Sequence, residues 1–261
     1  MKFSNITDRA FWDAKYAGFR PRYRLLDPFY GRRGLLARAL GPHLTGAKTL
    51  LELGCGSSRY LMFFNRVAGL ETAGIDFSAE GIERLRLMAA SHGVVHDLYQ
   101  GDLFEIDAGG KKFDVVFHSG LVEHFSDLDR LFARCRFFVR DGGQMIFLMP
   151  NMQNLAWRWH RRLCPVNHQA HIPYTKAQIA RAVKREFRLT LARPWGYPQL
   201  YAGGPPETPA AWLLKYLNLG LMLFISGAAF GYRGAVGPRL ASTWLFVCQA
   251  GGKEGEPWPN P

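Results

Sequence analysis

The 261-residue chain is short of acid, of paired cysteines and, near its start, of any long apolar run. Asp and Glu number 21 against 33 Lys and Arg, for a formal net charge of +12. That balance disfavours cationic partners and favours anionic ones, whether phosphates, acidic lipid or nucleic acid. The four cysteines, Cys55, Cys135, Cys164 and Cys248, show no CxxC spacing, which argues against both a structural zinc site and a disulfide framework. A reducing cytoplasm is the expected setting. Asp8, Arg9, Asp13 and Lys15 break every apolar run at the start, so a secretory signal is not expected. No internal repeat is apparent.

What is present suits a globular enzyme, since 48% of the residues are hydrophobic and a chain of this length can bury a full core. Residues 1–45 read as a helical prologue, with Phe11, Trp12 and Tyr16 at helical spacing and Leu35, Leu36 and Leu40 following. From Thr49 on, short apolar runs at 50–53, 72–75, 94–99, 113–117 and 145–149 alternate with amphipathic helical stretches. The pattern predicts an α/β fold, a mostly parallel sheet with helices on both faces. Leu128, Leu131, Phe132, Cys135, Phe138 and Val139 form one helical face behind Ser126, with Asp127 and Asp129 in the first turn. Thr175 and Gln178 have capping-box spacing ahead of Ile179, Val183 and Phe187. Strands near Leu189 and over 244–247 complete the sheet. The main domain is expected over 46–250, with insertions at about 151–186 and 203–238, and 251–261 reads as a loose tail.

The most informative stretch is Leu50-Leu51-Glu52-Leu53-Gly54-Cys55-Gly56-Ser57-Ser58-Arg59, a buried strand entering a glycine turn and then a helix. Gly54 and Gly56 allow a tight bend and a close approach of ligand to backbone. Glu52, at the strand's carboxyl end, can attract a cationic group. Asp76 closes the next strand about 20 residues beyond the glycines, where an acid that bonds ribose hydroxyls is expected. Gln100-Gly101-Asp102-Leu103 follows the third strand, and Phe113-Asp114-Val115-Val116-Phe117-His118-Ser119-Gly120 makes the fourth.

In this order the elements resemble the class I S-adenosylmethionine-dependent methyltransferases over about Lys48 to Pro150. The resemblance implies a Rossmann-like seven-stranded sheet with an antiparallel last strand, and S-adenosylmethionine as cofactor. It assigns Glu52, Gly54 and Gly56 to the methionine end, Asp76 to the ribose and Asp102 to the adenine amine. Cys55, Phe77, Leu103 and Ser119 flank these positions and complete the expected cofactor set. Ser58 stands where the family usually has its third glycine, and Arg59 fails the last position of a nicotinamide-type GxGxxG.

Ser119-Gly120-Leu121-Val122-Glu123-His124-Phe125 is similar to a segment that borders the acceptor pocket in small-molecule methyltransferases, including those of ubiquinone biosynthesis. Glu123 and His124 are therefore candidate catalytic residues, and His171, ahead of the Thr175 helix, is another. His118 and His168 are weaker candidates for a base. In the ubiquinone O-methyltransferases the position three residues before the Glu carries an acid of a metal site; here it is Gly120, and no metal is expected.

The expected reaction is methyl transfer, by preference to a hydroxyl of a small, glycan or lipid-linked acceptor. The segment 210–230 is apolar with a lone cation, Lys215, and predicts a helical insertion before the last strand. It reads either as a lid over the acceptor or as a contact with an anionic membrane surface, at the inner face of the membrane. Trp157 to Arg162, with Arg20, Arg22, Arg24, Arg32 and Arg33, supplies cations and aromatics for such a contact. Two rivals remain. The basic surface allows RNA or other nucleic-acid methylation, against which Met149-Pro150-Asn151-Met152 lacks the Asp/Asn-Pro-Pro-aromatic motif. A catalytically inactive cofactor-binding scaffold is the other, against which Asp76 and the glycine turn, which an inactive relative would more often lose, are intact.

Overall fold

The computed structural model describes residues 7–18, 22–24, 27, 29–201, 208–228, 234 and 236–251. The expected tail beyond Gly251, Arg20, and the 229–233 end of the apolar stretch lie outside the described residues. Seven strands form one sheet: β1 (Thr49–Leu53), β2 (Glu71–Asp76), β3 (Asp97–Gln100), β4 (Phe113–Ser119), β5 (Val139–Pro150), β6 (Arg188–Pro198) and β7 (Ala241–Gln249). Their order is β3-β2-β1-β4-β5-β7-β6. Strands β1 to β5 pair in parallel, and β7 lies antiparallel between β5 and β6. This is the Rossmann-like architecture expected.

The central strands are apolar on both faces because helices cover both. Alternate residues point to opposite sides: Leu50, Val115, Phe117 and Ile146 enter one core layer, and Leu51, Val116, Met145 and Phe147 the other. The first layer is closed by α2 (Leu35–Leu40), α3 (Arg59–Arg66) and α4 (Ala79–Ala90), through Leu36, Leu61, Phe64, Ile82 and Leu85. The second is closed by α5 (Leu128–Phe138) and α8 (Lys176–Val183), through Leu131, Phe132, Phe138, Ile179 and Val183. Between them come α6 (Leu155–Leu163) and α7 (Pro165–Gln169); α1 (Arg9–Ala17) precedes the sheet and α9 (Pro209–Ala228) precedes β7.

Helices α1, α3, α4, α5, α6 and α8 start behind side-chain oxygens that satisfy otherwise orphaned N–H groups. Thr175 and Gln178 form the expected capping box. The α5 cap is Asp127, which accepts from Arg130 N, and not the residue before it, Ser126. Val139, read as the end of that helical face, is instead the first residue of β5, paired with Phe113. The third strand begins at Asp97 rather than at 94, because at Thr72 the contact across to this segment runs through side chains, Thr72 Oγ1 to His96 Nδ1 at 2.6 Å, in place of a ladder bond.

His118, on β4, is wholly buried, stacks on the Phe147 ring at 4.7 Å, and has no hydrogen-bond partner for either ring nitrogen among the described residues. Burial lowers its pKa to about 3. An unfolded histidine takes up a proton below about 6.5, which the folded one refuses until about 3. Between those values folding therefore loses about 1.4 kcal/mol per pH unit on account of this residue. Replacement by phenylalanine keeps the packing and removes the proton, so the stability of His118→Phe is expected to fall less steeply than wild type from pH 6 to pH 4 in urea unfolding. Parallel slopes would show that the ring is not held neutral.

Candidate functional site

The strand order reverses between β1 and β4, and in open sheets of this kind ligands bind in the crevice outside the carboxyl ends at that point. A cavity of about 360 Å³ opens there. Its first wall is built by the turn after β1, where Gly54 and Gly56 both have positive φ (67° and 40°). The N–H groups of Gly54 and Cys55 both donate to Ile75 O, at 2.8 and 3.1 Å, fastening the turn to β2. One residue on, Gly56 N donates to Asp76 Oδ2 at 2.7 Å, while Ser78 N donates to Oδ1 at 2.8 Å. Burial raises the Asp76 pKa to about 6, against these two bonds.

Glu52 lies beneath the turn. It accepts the Ser58 hydroxyl at 2.8 and 2.9 Å, while Ser58 caps α3 by accepting from Tyr60 N at 2.9 Å. Serine at the expected third-glycine position thus starts the helix and anchors the acid. Of the expected cofactor residues, Gly54, Asp76, Phe77, Asp102, Leu103 and Ser119 line the cavity, and Glu52, Cys55 and Gly56 stand behind it. Asp102 Oδ1 accepts from Phe104 N at 2.8 Å, and the Ser119 hydroxyl donates to Tyr60 Oη at 3.1 Å.

The opposite wall holds the three expected catalytic residues together. Glu123 and His124 sit in a short 3-10 turn, Val122–His124, directly after β4. Ile172 N donates to Glu123 O at 2.8 Å, and His124 Nδ1 donates to Ala170 O at 2.7 Å. These bonds draw the 170–172 segment against the turn and set the His124 and His171 rings 4.9 Å apart. Burial raises the Glu123 pKa to about 7 and lowers that of His124 to about 3. The other two histidine candidates are elsewhere: His118 is in the core, and His168 stacks on Trp157 at 5.4 Å.

Three lining residues, Trp12, Lys15 and Tyr16, come from α1 and escaped the sequence reading, which placed the prologue only as packing. The available signal was their helical spacing with a cation between two aromatics. Helix α1 is tied to α4 by a hydrogen bond from the Ser78 hydroxyl to Asp13 and by Arg84 Nη2 to Ala17 O at 2.8 Å. Tyr16 fits because two glycines leave room: a Cβ on Gly56 would meet its hydroxyl, and one on Gly81 would come within 2.9 Å of its ring and 3.0 Å of the Gly56 backbone. Trp12 packs edge-on to His124 at 5.0 Å, and the Lys15 ammonium lies 4.2 Å over the Trp12 ring.

A family model described as a methyltransferase domain matches residues 22–188, more than half of the chain. The chain belongs to the class I S-adenosylmethionine-dependent methyltransferases. Among relatives of this methyltransferase is a ubiquinone biosynthesis O-methyltransferase of Mesorhizobium japonicum, 32% identical over 135 residues, or 49% of this chain and 53% of that one. The enzyme of the same name from Klebsiella pneumoniae is 31% identical over 157 residues, 60% of this chain and 62% of that one. The matched part thus spans less than two thirds of either relative. A structure solved in work on conversion of a disulfide bond into a thioacetal group during echinomycin biosynthesis superposes with a TM-score of 0.61 at 16% identity, covering 95% of this chain and 94% of that one, and so shares the fold. S-adenosylmethionine is the cofactor of the family.

The glycine contacts make α1 removable by one methyl group. Gly81→Ala forces the Tyr16 ring or the turn to move, at a cost on the order of 1–3 kcal/mol. Thermal unfolding of this variant is expected at a lower temperature, with faster proteolytic cleavage within 8–18. Unchanged stability and cleavage would show that α1 is not seated on the turn.

Proposed function

We propose that the methyltransferase moves the methyl group of S-adenosylmethionine to a hydroxyl of a small or lipid-linked acceptor. The observation that carries the reading is one cavity with an acid-lined half, Asp76 and Asp102, and a half lined by Glu123, His124 and His171. In this reading Asp76 accepts from ribose hydroxyls and Asp102 from the adenine amine. Gly54 gives the methionine end access to backbone, while Gly56 makes room for Tyr16 and Glu52 braces the turn through Ser58.

In the transfer, an acceptor oxygen forms a bond to the methyl carbon as the carbon–sulfur bond breaks, and its electron pair stays on sulfur to give S-adenosylhomocysteine. The sulfonium supplies the activation, so alignment is the main requirement, worth up to ~7–11 kcal/mol in favourable cases. The hydroxyl proton must also leave, and a placed base contributes roughly 10²–10⁴ in rate. His124 has its Nδ1 hydrogen on Ala170 O, but burial makes its ring a weak base, and Glu123, raised by burial to about 7, is the better-matched group to take that proton. His124 and His171 stand beside it to orient the hydroxyl.

A lipid-linked acceptor and an anionic membrane surface are supported by the outer face of the C-terminal part. On α9, Trp212, Leu213, Tyr216, Leu217, Leu219 and Phe224 are exposed, and Trp159 of α6 is 57% exposed. No helix among the described residues is long and apolar enough to cross a membrane. Residues 151–251 hold twelve of the 33 Lys and Arg and just two acids, Glu186 and Glu207, so nearly the whole net charge belongs to this stretch. Aromatic and aliphatic side chains among cations suit contact with acidic headgroups.

Incubation with methyl-labelled S-adenosylmethionine and a bacterial lipid extract is expected to put label into base-stable ethers in the lipid fraction, faster with acidic vesicles than with neutral ones. Label confined to amines or to RNA would overturn the hydroxyl assignment, and equal rates with both vesicles would overturn the membrane contact.

A further inference from the structure

We infer that Lys15 selects the acceptor: beside the hydroxyl to be methylated, the acceptor carries an anionic group, a carboxylate or a phosphate, that pairs with the Lys15 ammonium in the cavity. This names the substrate class of the cavity already described, and it rests on the reading of the half lined by Glu123 as the acceptor side.

Helix α1 addresses the two halves of the cavity through neighbouring residues. Successive side chains on a helix are turned by roughly 100° from each other, so Lys15 and Tyr16 diverge. Tyr16 lies against the glycine turn, where Asp76, Cys55 and Glu52 act on its hydroxyl. Lys15 is coupled instead to Glu123 and His124. Its ammonium is held over the Trp12 ring at 4.2 Å, and that ring meets His124 edge-on at 5.0 Å. The lysine charge therefore stands in the half that Glu123 and His124 line.

That charge is unmatched. Among the described residues that line the cavity, Lys15 alone is a Lys or Arg, and no described carboxylate comes within ion-pair reach of it. Its close contacts are with rings, Trp12 and, at 5.9 Å, Phe11. Loss of water around its head lowers its pKa from the usual lysine value. Glu123, pushed up to about 7, carries only part of a charge near neutrality, and none once it holds the acceptor's proton. The cofactor adds a sulfonium to the same cavity. A cation beside a cationic cofactor is unfavourable by itself, and an anion on the acceptor turns that repulsion into attraction to both. Trp12, Phe104, Leu121 and Phe125 supply apolar surface nearby, so the fitting acceptor has an apolar or aromatic body with a hydroxyl and an anionic group. An ammonium binds as a point charge, which carboxylate and phosphate both satisfy.

Calorimetry of the S-adenosylhomocysteine complex with probes of one shape tests this: 3-hydroxybenzoate, 3-hydroxyphenyl phosphate and the uncharged 3-hydroxybenzyl alcohol. The wild type is expected to bind at least one of the two anions about tenfold or more tighter than the alcohol, and the stronger of the two identifies the anion. Lys15→Met, which keeps an unbranched stem to pack on Trp12, is expected to bring anion and alcohol within about threefold of each other, and Lys15→Arg to retain the preference. Affinity for S-adenosylhomocysteine, measured on each variant, reports separately whether α1 and the glycine turn are still seated. Equal affinity for anions and alcohol in the wild type, no binding of either anion, or a preference that survives Lys15→Met overturns the inference. An intact anionic preference with methyl label found only in amines would instead overturn the hydroxyl reading.

Discussion

The Asp76 carboxylate takes one backbone N–H on each oxygen, from Gly56 on one side and from Ser78 on the other. Through these two bonds the end of β2 fixes the glycine turn after β1 and the start of α4 at once. Gly56 can serve as donor in that position because it has no side chain and a left-handed backbone, and Ser78 because it also caps α4. Each oxygen keeps further acceptor capacity for a ligand hydroxyl. Burial opposes the charge of the group that organises the crevice, and the N–H bonds support it.

The same anchor extends outward to α1. Ser78 passes a hydrogen bond to Asp13, and Tyr16 fills the space that Gly56 and Gly81 leave open. Helix α1 then brings Trp12 against His124, so a segment near the start of the chain joins the wall formed by Val122–His124 and the 170–172 loop. The two halves of the cavity are therefore coupled through packing rather than through a shared strand.

Much of this was legible in sequence where the physical signal is local. Strand β1 running into Gly54 and Gly56, Asp76 some twenty residues on, and the Thr175–Gln178 cap each follow from neighbours in the chain, and the structure has them in place. Boundaries set by tertiary pairing were not legible. Val139 leaves α5 because Phe113 offers it a ladder partner, and residues 94–96 stay out of β3 because Thr72 meets His96 by side chain. The assembly of Glu123, His124 and His171 was nameable from sequence but its closeness was not, since it depends on carbonyl contacts across nearly fifty residues. The roles of Trp12, Lys15 and Tyr16 depend on where α1 docks, which helical spacing alone does not specify.

The account depends most on Asp76 gripping a nucleoside at this crevice. Calorimetric titration of S-adenosylhomocysteine into the wild-type chain and into Asp76→Ala tests it directly. One equivalent is expected to bind the wild type, with affinity reduced on the order of 10- to 150-fold in the variant, corresponding to about 1.5–3 kcal/mol for lost bonds to a charged acceptor. No heat from the wild type at millimolar ligand, or equal affinity in the two proteins, would contradict it.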